Sequence, residues 1–230
     1  MNDELSKYAE ALLRADEHVA EIARRRPTEI SVSVIGTWSK GPYKALVIRG
    51  GLLWRSEEIG RLAIAAYRSN DRAAAVLLTR ASMENAGLHW RLSALLGERA
   101  NLTRNQLDDT LTSMLMGWKG DEEFPQALNV LGLIDRIDRE VPGIRHAYNS
   151  LSEIAHPNYG GVHGLYARID HDRFVTSFGR DLRGKEATHA GASALAASLG
   201  LQLVADKRVT DLLPVWISEL PSLDQPREPN

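Results

Sequence analysis

Cysteine is absent from this 230-residue chain. That excludes disulfides, thiolate zinc sites and cysteine nucleophiles at once. A chain of this length can still bury most of its apolar surface, so its core is expected to hold by packing alone. Long apolar runs are missing too. The best of them, residues 73–78, falls far short of the roughly 20 residues needed to cross a bilayer. Nor is there an excess of one charge. The 28 Lys and Arg against 30 Asp and Glu give a net charge of -2, which argues against a surface coated for nucleic acid. The first residues, Met1-Asn2-Asp3-Glu4, are acidic and do not lead into a basic, then apolar, signal segment. The expectation is a soluble cytoplasmic protein that makes no use of a membrane.

Signatures of common chemistries are also missing. No Gly-x-Ser-x-Gly elbow occurs, and no dinucleotide fingerprint follows a strand. His163, Asp170, His171 and Asp172 lie close in sequence without the i, i+4 histidine spacing of a helix-borne metal site. They read as a solvated turn, and neither metal nor cofactor is expected. The triplet Arg24-Arg25-Arg26 is followed by Pro27, so it reads as a helix C-terminus whose cations complement the dipole.

What is present is helical periodicity. Apolar residues recur at i, i+3, i+4 and i+7 over residues 3–25, 43–68, 71–99, 103–118, 125–141 and 144–156. Ile30, Val32 and Val34 alternate as a short strand would. Gly50-Gly51 interrupts the second helix and predicts a kink or a close helix contact. In residues 71–99 the predicted buried stripe is Ala74, Leu77, Ala81, Leu88, Leu92 and Leu95, with Arg80 and Glu84 one turn apart at its edge and Asn85 near its centre. Residues 164–178 alternate with period 2 around a polar turn and predict one β-hairpin. Residues 185–205 and 207–220 read as two final helices, the second interrupted by Pro214. The five tryptophans fall on separate elements and read as core or helix-contact residues. The fold class is mainly α: a six- or seven-helix bundle with one hairpin, forming a single domain over 1–220, and a flexible tail over 221–230.

The stretch 144–166 carries the chemistry. Arg145, Asn149, Ser152 and His156 follow one another at +4, +3 and +4, along the border of the apolar arc that holds Tyr148 and Leu151. Pro157 stops the helix, because it has no N–H and disfavours helical geometry at the preceding residue. His156 therefore stands at the negative end of the helix dipole, where positive charge is favoured. A histidine placed there can serve as a general acid or stabilise a developing negative charge. The loop Asn158-Tyr159-Gly160-Gly161 would let backbone amides approach a ligand. The plainer reading is that His156 bonds free carbonyls at the helix end and the loop merely turns the chain.

Tyr148-Asn149-Ser150-Leu151-Ser152-Glu153-Ile154-Ala155-His156-Pro157-Asn158, together with Arg80-Ala81-Ser82-Met83-Glu84, resembles a group of prokaryotic helical proteins. Their hallmarks are a Leu-Ser-x-x-x-His-Pro helix end and an Arg-x-x-x-Glu helix. These in turn resemble the HEPN class of helical bundles, and the resemblance spans residues 71–166. It implies a homodimer, metal-independent chemistry on RNA, and a place in defence, toxin–antitoxin or mobile-element systems. One part of the pattern is missing. HEPN ribonucleases carry Arg, four to six residues, then His on one helix. Here Asn149, Ser150 and Leu151 occupy that distance before His156, and Pro142-Gly143 separates Arg139 from His146.

Two functional expectations follow. In the first, the chain is a non-catalytic interaction or regulatory module, a homodimer or the partner of another protein, with Arg80, Glu84 and His156 as a buried structural network. In the alternative it is a metal-independent ribonuclease. His156 is then acid/base, Arg80 the anion binder and Glu84 its orienter, with Ser152 as a further catalytic group. Arg145, Asn149, Asn158, Tyr159 and Gly160 would contact the RNA.

Overall fold

A computed structural model describes residues 2–37, 39–118, 120, 123–180 and 186–221. All of the expected tail over 221–230 but Pro221, and Trp38, lie outside the described residues. Seven long helices and two single-turn ones are present among those described: α1 (Asn2–Arg25), α2 (Val32–Ile35), α3 (Lys40–Arg68), α4 (Arg72–Glu98), α5 (Arg104–Met116), α6 (Val130–Glu140), α7 (Ile144–Ala155), α8 (His163–Tyr166) and α9 (Glu186–Ser218). The strands β1 (Ala167–Asp170) and β2 (Val175–Phe178) pair antiparallel between α8 and α9. The protein is a helical bundle with one hairpin. None of the described helices is long and apolar enough to cross a membrane.

α4 and α9 form the axis of the bundle and pack on each other more extensively than any other pair. Three apolar clusters surround them. Leu12 and Ile22 of α1 meet Leu53 and Ile64 of α3 and Leu195 and Leu199 of α9. Ile48 and Leu52 meet Leu92, Leu95, Leu111 and Trp216 at the other end. Met83 and Trp90 of α4 meet Ile134 and Ile137 of α6 and Tyr148 and Leu151 of α7.

Several boundaries differ from those read from periodicity. Residues 32–35 form a helical turn closed by Gly36 in the left-handed region (φ 75°), not a strand. α3 runs unbroken through Gly50-Gly51. A Cβ on Gly50 would lie 3.0 Å from Pro27, so the close contact is with the segment after α1. α6 begins only at Val130, where Asn129 caps the amide of Leu131 at 3.0 Å. α5 starts on a reciprocal capping box between Thr103 and Gln106. The two expected C-terminal helices are one, and Pro214 sits inside it. A proline within a helix costs about 3 kcal/mol, and the burial of Leu213 and Trp216 on either side of it offsets that cost.

The largest difference lies in α4. Leu92 and Leu95 are buried as expected, but Leu77 is 51% exposed. The face turned inward carries Thr79, Ser82, Asn85, His89 and Ser93 instead. Their partners come from α3 and α9. Ser82 bonds Ser198 at 2.7 Å, and Gln202 Nε2 donates to the Ser82 carbonyl at 3.2 Å. Asn85 Nδ2 donates to the Leu52 carbonyl at 3.0 Å and to Ser56 Oγ at 2.6 Å, and Ser56 Oγ donates to Gln202 Oε1. One turn further, the fully buried Asp206 accepts from Arg49 Nε at 2.6 Å and from Arg25 Nη1 at 3.2 Å. Buried polar groups are tolerable when satisfied in this way. His89 is the exception. Its ring is completely buried, Nε2 lies 3.8 Å from Asp206 Oδ1, and neither ring nitrogen has a hydrogen-bond partner. Burial, assisted by the Arg49 charge, pushes its pKa down to about 4, against the opposing pull of Asp206.

Candidate functional site

α7 is set in place from the preceding helix. Asp138 Oδ1 accepts from the amides of Gly143 and Arg145, each at 2.9 Å, and so caps the first turn of α7 in place of its own N-cap, Gly143 (φ 101°). From there Ile144, Tyr148 and Leu151 point inward against α4. This brings the two halves of the expected site onto adjoining helices.

Arg80 and Glu84 form the ion pair their spacing predicts, at 3.2 Å, with side chains 30% and 32% exposed. Tyr148 joins them. Its hydroxyl donates to Glu84 Oε1 at 2.8 Å and accepts from Arg80 Nε at 3.2 Å, and the guanidinium lies 5.4 Å from the tyrosine ring centroid. The hydrogen bond to Tyr148, with help from Glu84, holds Arg80 even more firmly cationic than usual. Burial raises the Tyr148 phenol, reinforced by Glu84 and opposed by Arg80. The trio is a charge-paired joint between α4 and α7. Tyr148 reads in the sequence only as part of the apolar arc. The signal available there was that a buried phenol requires a partner.

The remaining residues fall into separate groups. Arg145 donates to Asn149 Oδ1 at 3.1 Å and pairs with Asp135 of α6. Ser152 Oγ is buried with no partner. His156 caps α7 in extended geometry (φ -82°, ψ 150°), exposed to solvent, and its ring makes no hydrogen bond among the described residues. It lies two turns beyond Tyr148, about 12 Å along the helix axis. No bond or ion pair links it to Arg80 or Glu84, so the network expected to contain all three excludes the histidine.

The loop after Pro157 is occupied with its own turn. Asn158 Nδ2 donates to Glu153 Oε2 at 2.9 Å, and Asn158 Oδ1 accepts from the Gly161 amide at 3.0 Å. A Cβ on Gly161 would run into the carbonyls of Ile154 and His156, whereas one on Gly160 would find its nearest neighbour at 3.4 Å. Gly161, and not Gly160, is therefore the position that requires glycine, and the backbone it approaches is the end of α7. Tyr159 is exposed and stacks on His163, with ring centroids 5.9 Å apart. Among the described residues no three His, Asp or Glu side chains converge as metal ligands would.

Fold and site thus define a helical bundle whose α4–α7 joint is tied by a carboxylate, a phenol and a guanidinium. Compared with protein-family models, curated proteins and solved structures, the chain matches none of them.

Proposed function

We propose that this chain is a HEPN-like, non-catalytic interaction module that acts in the cytoplasm by self-association. The observation that carries the reading is the hairpin. β2 is exposed along its whole length, with Phe178 at 69% exposure, and Phe174 in the turn before it is 95% exposed. The register Ala167↔Phe178 and Ile169↔Thr176 places Ile169, Thr176 and Phe178 on one face. A two-stranded hairpin is marginal in water by itself, and an unpaired apolar edge is a template for another strand. The outer edge of β2 is self-complementary about a two-fold axis through Ser177. Pairing there sets Thr176 opposite the second copy's Phe178 and makes one four-stranded sheet with a continuous apolar face. The α4–α7 joint supports the same reading from the other side, because Arg80 and Glu84 spend their bonds on Tyr148, away from any acid/base group. The family resemblance adds defence, toxin–antitoxin or mobile-element systems as the setting.

Light scattering coupled to size exclusion tests this reading. A wild-type dimer converted to monomer by Phe178→Lys is expected. A wild-type monomer at tens of micromolar, or a variant that stays dimeric, overturns it. The exposed, unbonded ring of His156 favours a second reading, the metal-independent ribonuclease with Arg80 and Glu84. RNA cleavage by the wild type that is lost in His156→Ala would put that reading first.

A further inference from the structure

A cleft of about 220 Å³ is lined by α3, α4, α5 and α6 and reaches Glu84. Its polar lining is Arg55, Glu84, Asn85 and Ser113, and its apolar wall includes Met114, Leu128 and Leu133. Arg55 makes no hydrogen bond or ion pair among the described residues. Glu84 takes both Tyr148 and Arg80 on Oε1, leaving Oε2 without a partner there. Asn85 is nearly buried; its amide nitrogen is committed to Leu52, Ser56 and Gln202, while its oxygen accepts nothing among the described residues. Opposite charges that share a small cleft ordinarily close on each other. Arg55, an exposed side chain, and Glu84 line the same cleft and form no ion pair with each other.

We infer that this cleft binds a zwitterionic α-amino acid with an apolar side chain. Arg55 would take the carboxylate, and Glu84 Oε2 with the Asn85 carbonyl oxygen would take the ammonium. The side chain would lie against Met114, Leu128 and Leu133. The volume is below the roughly 300–1,000 Å³ of sites for drug-sized ligands, which restricts the occupant to a molecule of this size. A charge-assisted bond at each end supplies the orientation. The site goes beyond the self-association reading and does not depend on it.

The test is calorimetric titration of the full chain with L-leucine and L-methionine, beside N-acetyl-L-leucine, L-leucine methyl ester and glycine. Binding of the free apolar amino acids is expected. Each analogue lacks one charge or the side chain and should bind about tenfold more weakly or worse. Arg55→Met should weaken L-leucine by a similar factor while its own melting temperature stays at the wild-type value, because the guanidinium has no partner to lose among the described residues. Glu84→Gln is the second variant, with the same loss of affinity expected. No heat at millimolar amino acid overturns the inference. So does an ester or N-acetyl derivative that binds as well as the parent, or an Arg55→Met protein with unchanged affinity.

Discussion

Two polar assemblies sit on the same helix and differ in almost every respect. The seam of Ser82, Asn85, Gln202 and Ser198, extended by the buried Asp206, is sealed between α3, α4 and α9, with Arg49 of α3 and Arg25 of α1 reaching Asp206 from the rim. The joint of Arg80, Glu84 and Tyr148 lies at the edge of the bundle, about a third exposed. The joint is conspicuous in the sequence and the seam is not, yet the seam fixes the register of the two central helices. Interior polar groups must meet particular partners, whereas a solvated pair can be rearranged at little cost.

The sharpest way to break this comparison is at Asp206. Asp206→Ala strips the mostly buried Arg49 of its carboxylate, while Arg25 keeps Glu21, and urea unfolding should show a loss of about 3–5 kcal/mol. A loss under 1 kcal/mol would mean that the seam is no more important than the rim.

Acid comes next. The folded pKa of His89, about 4, lies below its unfolded value. Between the two, the unfolded chain binds the proton and the folded one does not. Stability is therefore fully present above about pH 6.5 and falls as the pH drops toward 4, by about 3 kcal/mol in total. His89→Leu should flatten that slope and, by removing two unpartnered nitrogens, leave stability at neutral pH equal or higher. An unchanged pH profile in the variant would assign the acid sensitivity elsewhere.

At the rim, Tyr148→Phe removes the hydroxyl that links Arg80 to Glu84, and a melting curve should register about 1 kcal/mol. The smallest effect belongs to His156→Ala. Its ring is exposed and unbonded, so stability should stay within about 0.5 kcal/mol of wild type. A larger drop would show that the histidine has a structural partner after all.

Much of the architecture was legible because long helices repeat their apolar residues with a fixed period, and the hairpin with another. The stop at His156-Pro157 and the Arg80–Glu84 pair were legible because both are local. Most of the inward face of α4 was not: Asn85 falls near the centre of the predicted stripe, but Ser82 and His89 look like solvent residues until the neighbouring helices cover them. Tyr148 failed to stand out for a related reason: the carboxylate that receives its proton is 64 residues away. Nor could spacing tell that Arg80 and His156 point to separate places. Pairing across helices depends on the crossing of α4 and α7, which no single periodicity encodes.

The position of α9 has a consequence for synthesis. This 33-residue helix contributes to all three clusters, and its residue Ala196 accepts a bond from His18, 178 positions earlier. A growing chain that has emerged only as far as the hairpin thus has the outer helices but not the post they gather around. Closing contacts of such long range is slow, and the waiting helices expose their apolar faces meanwhile. Nascent chains arrested before Glu186 should therefore be cut readily by protease and bound by chaperones. Protection should arrive in one step once α9 has cleared the ribosome.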